Sequence, residues 1–134
     1  MTKIQGSSDC GNSPKNKFAQ DVAVALETGE FLADGFSDDL VWFKNADPPL
    51  EGKAAVTSAL EEKAKPTSIV VDHAISHGKV GAANGEVTLA NGHKRRFSHI
   101  IEFTSTKGNK VVAVKSYSLG DARACLRCLS LNDA

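Results

Sequence analysis

From Ile69 onward the chain alternates with a period of two, and no other stretch limits the available folds as much. Ile69, Val71, His73 and Ile75 alternate with Val70, Asp72, Ala74 and Ser76, which predicts a strand with two distinct faces. A second strand is expected from Val80 to Leu89, and Asn91-Gly92 is a hairpin signal because both positions tolerate a positive φ. Phe97-x-His99-x-Ile101-x-Phe103 follows, and Lys107-Gly108-Asn109 turns the chain into Val111 to Leu119. Connections this short join antiparallel neighbours, so the C-terminal half predicts a four-stranded meander.

The N-terminal half reads differently. Residues 1 to 12 are rich in Ser, Gly, Asn and Asp without apolar periodicity and are expected to form a flexible tail ahead of a single domain over 13–134. Ser13-Pro14 supplies an N-cap and a proline at the first helical position, and Phe18, Val22, Ala25 and Leu26 fall on one helical face ending at Gly29. Phe31 to Phe36 suggests a second short helix. Leu40 to Lys44 reads as a strand closed by Asn45-Ala46-Asp47-Pro48-Pro49. Gly52 to Ala64 reads as an amphipathic helix stopped by Pro66, and a C-terminal helix is expected over about 121–131.

A chain of 134 residues buries roughly two thirds of its unfolded surface and needs no metal or disulfide to support a core. Sixteen basic residues balance sixteen acidic ones, so no overall field gathers phosphate backbones or anionic lipids, and nucleic acid and membrane are not expected partners. No apolar run reaches the roughly 18 residues of a membrane span, and residues 1–14 lack a secretory h-region, which predicts a soluble, cytoplasmic protein. Cys125 and Cys128 lack the second ligand pair of a zinc site and are read as small apolar residues on a helix stripe.

The order helix, strand, helix, four-stranded meander resembles the nuclear transport factor 2-like superfamily, which includes ketosteroid isomerases, SnoaL-like polyketide cyclases and scytalone dehydratase. The likeness is carried by Asp38-Asp39-Leu40-Val41-Trp42 before the Gly52-led helix, by His77-Gly78-Lys79-Val80-Gly81-Ala82-Ala83-Asn84-Gly85-Glu86, and by the strands Phe97 to Phe103 and Val111 to Tyr117. It implies an α+β fold whose curved, mixed or antiparallel sheet forms a half-open cone, with N-terminal helices over a cavity. It further implies a small apolar or polycyclic ligand, acid–base chemistry without a cofactor, and a homodimer through the outer sheet face, where Tyr117 is the interface candidate. Compared with ketosteroid isomerases, His99 falls near the position of their oxyanion-hole acid and Lys44 near that of their carboxylate base. Neither preserves that chemistry, so ketosteroid isomerisation itself is not expected.

If the alternation holds, Trp42, Lys44, His73, Asn84, Glu86, His99 and Ser116 point into the cone. An imidazole among apolar neighbours suits a general acid or base, and a carboxylate beside it fixes its tautomer. The expected catalytic group is therefore His99 with Glu86 or His73, and Trp42, Lys44, Asn84, Phe97 and Ser116 are expected to contact ligand. Two histidines and a glutamate also suit a metal facial triad, but no local spacing fixes such ligands and no metal is expected. The competing readings are a non-catalytic binding or protein-interaction module and a structural dimer with a filled core.

Overall fold

The computed structural model describes residues 2–120; the helix expected over 121–131, with Cys125 and Cys128, lies outside them. The elements run β1 (Lys3–Gln5), α1 (Pro14–Thr28), β2 (Phe36–Lys44), β3 (Leu50–Glu51), α2 (Lys53–Glu61), β4 (Ser68–His77), β5 (Val80–Thr88), β6 (Lys94–Phe103) and β7 (Val111–Gly120). One mixed sheet has the order β1-β4-β5-β6-β7-β2-β3. β4 to β7 form the expected antiparallel meander, while β2 joins β7 in parallel and β1 joins β4 in parallel. The sheet stays open, with β1 and β3 at its edges, and the fold is the α+β half-open cone that the sequence suggests.

α1 starts where its caps say it should. The Ser13 side chain accepts a hydrogen bond from the Asn16 N–H, and Pro14 occupies the first turn. Gly29 ends the helix in the left-handed region at φ 82°, and a Cβ there would stand 2.5 Å from the Leu60 carbonyl oxygen, so the stop also lets α2 approach. The buried side of α1 packs with Trp42, Leu40, Val56, Leu60, Ile101 and Val114 in one apolar cluster, and Ala23 joins Ile69, Val71, Val87 and Phe97 in a second.

Four expectations give way. Lys3–Gln5 is not part of a structureless tail but a strand beside Ser68–Val70, and Gln20 holds the following turn by accepting from the Ser7 N–H. Phe31 to Phe36 forms no helix: residues 33–35 turn, and the strand begins at Phe36, earlier than Leu40, because Val111 N–H bonds the Gly35 carbonyl and draws β2 alongside β7. α2 closes at Glu61, short of Ala64. Among the described residues no helix is long and apolar enough to cross a membrane.

Candidate functional site

The chemistry gathers where three neighbouring strands place polar residues in one row across the inner face of the sheet. Register pairs His99 on β6 with Ser116 on β7, and Ser116 with Lys44 on β2. Phe97, Ile101 and Val114 pack around this row, and Trp42 stands two residues before Lys44 on the same face. α1 lies over the row and lowers Glu27, one turn beyond Ala23 on its buried stripe, onto the imidazole.

A continuous hydrogen-bond chain results. The Trp42 indole N–H donates to Ser116 Oγ at 2.8 Å, and Ser116 Oγ lies 2.6 Å from His99 Nδ1. His99 Nε2 lies 2.8 Å from Glu27 Oε2, and Arg95 donates to Glu27 Oε1 at 2.8 Å. Lys63, just past α2, stands 3.8 Å from the same oxygen. Glu27, His99 and Trp42 are each at most 2% exposed.

One proton arrangement satisfies every member. An indole N–H only donates, so Ser116 Oγ accepts from Trp42 and is free to give its own hydrogen to His99 Nδ1. A neutral imidazole then carries its proton on Nε2 and donates to Glu27, which also accepts from Arg95. Burial raises the Glu27 carboxyl, but the His99 hydrogen bond, the charge that His99 carries when protonated and the charges of Lys63 and Arg95 outweigh it and bring it down to about 2, so it is ionised. Burial lowers the Lys63 ammonium from its usual value, Arg95 and Lys44 push it the same way, and Glu27 opposes them.

The space beside this chain is small. Lys44, Lys63, Arg95, Ser116 and Tyr117 help enclose a cavity of about 30 Å³, enough for a water-sized group and well below the roughly 300 Å³ or more of a drug-sized ligand site. Trp42 fills the cone where a polycyclic ligand was expected, and the Phe97 ring stacks on the imidazole at 5.3 Å. A larger hollow of about 650 Å³ lies outside α1, along Phe18, Asp21, Phe31 and Asp34, away from the imidazole.

The structure separates the residues that the alternation brought together. Trp42, Lys44, Phe97, His99 and Ser116 face the cone interior as expected. His73, Asn84 and Glu86 do not: they lie on the opposite, outer face. The register steps from Val71 opposite Gly85 to His73 opposite Asn84, so Asp72 is an extra residue, a bulge that turns His73 and Ile75 outward and Ala74 inward. On β5 the inward set is Gly81, Ala83, Gly85 and Val87, which sends Asn84 and Glu86 out. Gly85 is required there, because a Cβ would overlap the Val70 carbonyl oxygen and come within 2.9 Å of the Phe97 ring.

His73 instead meets Asp9 at 2.9 Å, and the His73 hydrogen bond, then that of the Ala74 N–H, lowers the Asp9 carboxyl. Glu86 faces Arg96 at 3.6 Å and Lys94 at 3.8 Å. Neither Glu86 nor His73 reaches His99, so the expected partnership fails and the two histidines and Glu86 do not gather as a metal triad. The carboxylate is Glu27, which the sequence reading missed, although Ala19, Ala23 and Glu27 at intervals of four place an acid on an apolar helix stripe.

No protein-family model and no curated protein matches the chain. Solved structures do. A nuclear transport factor 2-like protein of unknown function from Burkholderia xenovorans superposes with a TM-score of 0.61 at 20% identity, over 80% of this chain and 83% of that one. A ketosteroid isomerase candidate from Kribbella flavida gives 0.63 at 15% identity, over 78% and 77%. A SnoaL-like polyketide cyclase candidate from a Jannaschia species gives 0.55 at 8% identity, over 85% and 92%. At such identities the likeness is one of architecture. The chain therefore has the nuclear transport factor 2-like fold.

Proposed function

We propose that the cone interior is a small-molecule site that moves a proton through Ser116 and His99, the chemistry of an isomerase, cyclase or dehydratase. The observation that carries this reading is the directed chain from Trp42 through Ser116 and His99 to Glu27, ending on a cavity that Ser116 lines. Both imidazole nitrogens are engaged, so His99 acts through the hydroxyl. A proton leaves the substrate for Ser116 Oγ as the Ser116 hydrogen passes to His99 Nδ1. The imidazolium is held by ionised Glu27, and the negative charge left on the substrate faces Lys44, Lys63 and Arg95. Trp42 and Arg95 are positioning residues: one orients the hydroxyl, the other the carboxylate. The step balances within these side chains and calls for no cofactor.

The test is solvent exchange. Small carbonyl and hydroxy-acid compounds are incubated with the protein in deuterated water, and loss of their carbon-bound hydrogen is followed by proton NMR. A substrate of the site exchanges faster with wild type than with His99→Gln or Ser116→Ala by about a hundredfold or more. A panel in which a compound binds the cone yet never exchanges would contradict the catalytic reading and leave a binding module.

A second reading concerns the outer face and is compatible with the first. Rows of facing residues set Ile75, Ala82 and Ile100 beside one another and His73, Asn84 and Ser98 beside Tyr117. Ile75, Val80, Tyr117 and Leu119 are all exposed there; Ile75 borders a hollow of about 430 Å³, and the buried Asn84 Oδ1 in its wall has no hydrogen-bond partner among the described residues. We infer that a second copy of the chain covers this face.

A further inference from the structure

Among the described residues, the cone cavity carries more positive charge than its one carboxylate balances. Lys44, Lys63 and Arg95 line it with Glu27, an excess of two positive charges when the imidazole is neutral. Glu27 is already shared, with Arg95 at 2.8 Å and Lys63 at 3.8 Å. Lys44 has no carboxylate within 4 Å among the described residues; its ammonium lies 5.0 Å from the centre of the Trp42 ring. Arg95 and Lys63 are mostly buried, with about a fifth of each side chain exposed, so water screens them poorly. Only Nη2 of the guanidinium contacts Glu27, which leaves other N–H donors of its planar fork for a second acceptor.

We propose that this cavity takes the anionic end of a small ligand, a carboxylate or comparable oxyanion, between Lys44, Lys63 and Arg95. Size agrees with charge: about 30 Å³ receives a compact polar head, with the rest of the molecule directed outward past Tyr117 and Ser118. The cations compensate the head group in a partly desolvated site, where charge-assisted hydrogen bonds are strong. This inference rests on the cone interior being the ligand site and adds the class of ligand it selects.

Trp42, the chain's single tryptophan, reports on the site through its indole N–H, which is bonded to Ser116. Nitrogen-15 NMR follows that resonance during titration with sodium acetate, sodium phosphate, sodium chloride and acetamide, the neutral isostere of acetate. The expected result is a saturable shift with acetate that equal chloride or acetamide does not reproduce, weakened about tenfold or more in Lys63→Met. Lys44→Met, a change at a less enclosed side chain, gives the same loss if Lys63→Met does not fold. Phosphate matching acetate would widen the ligand class to oxyanions in general, whereas acetate alone would restrict it to carboxylates. Equal shifts with acetate and acetamide would overturn this inference while leaving the cone as a ligand site. No saturable shift with any of the four would overturn both.

Discussion

Glu27 is the residue on which the site turns, because it places an ionised carboxylate on the buried side of α1, over the sheet. Such a charge is tolerable only when fully paired, and here His99, Arg95 and Lys63 supply the partners. Its carboxyl, ordinarily near 4.5, sits at about 2 in the folded chain. A depressed folded value means the contribution to stability is complete above 4.5 and lost as pH falls towards 2, a difference on the order of 3 kcal/mol. Glu27→Gln is therefore expected to flatten the fall in urea midpoint across that window and to lower stability at neutral pH by about 3 kcal/mol, through the unpaired Arg95 guanidinium. Wild-type and variant curves running parallel between these pH values would show that Glu27 is not paired as described. His99, Trp42, Lys44 and Ser116 were legible in the sequence because each lies on a strand whose apolar neighbours fix its face. Glu27 was not: like Asp21 in the same 15-residue helix, it resembles a surface residue until the strand beneath is known.

At the scale of elements, the sheet shows why period-two reading succeeded on β6 and failed on β4 and β5. β6 alternates Phe97, His99, Ile101 and Phe103 against Ser98, Ile100 and Glu102 without interruption, so its inner face is fixed by bulk. On β4 the extra residue Asp72 reverses the faces halfway along, and no local composition announces it. On β5 small residues occupy both faces, and the inward glycines are dictated by a ring on the next strand. Gly85→Ala is accordingly expected to cost about 3 kcal/mol, since the Phe97 ring and the β4 backbone must both yield. Chemical denaturation measures it, and a change within 0.5 kcal/mol would mean Gly85 does not face inward. The hairpins, α1 and its caps were readable because glycine, proline and serine act locally; β1 was not, because its three residues form a strand only against Ser68–Val70.

For the whole molecule, the two faces of the sheet differ in what they expose. The inner face, closed by α1 and α2, holds the polar row and little free volume, and the outer face exposes Tyr117 and Leu119 at 52% and 68%. A dimer through that face predicts that Tyr117→Arg shifts sedimentation from a dimer towards a monomer without lowering the melting temperature of the isolated subunit. A wild-type chain that sediments as a monomer at micromolar concentration would remove the outer-face reading and leave the cone site untouched. The fold was visible from element order, whereas the filled cone was not, because alternation states which residues face inward and not how closely their rings pack.

The central claim is that Trp42, Ser116, His99 and Glu27 form one directed hydrogen-bond chain, and the proton positions on His99 test it most directly. Long-range proton–nitrogen NMR of histidine-labelled protein distinguishes the two ring nitrogens, with His99→Gln assigning the signal. The account predicts that the neutral imidazole carries its proton on Nε2, donated to Glu27, and that Nδ1 behaves as an acceptor from Ser116. A neutral imidazole protonated on Nδ1 would set a bare Nε2 against an ionised carboxylate and would contradict the chain as described.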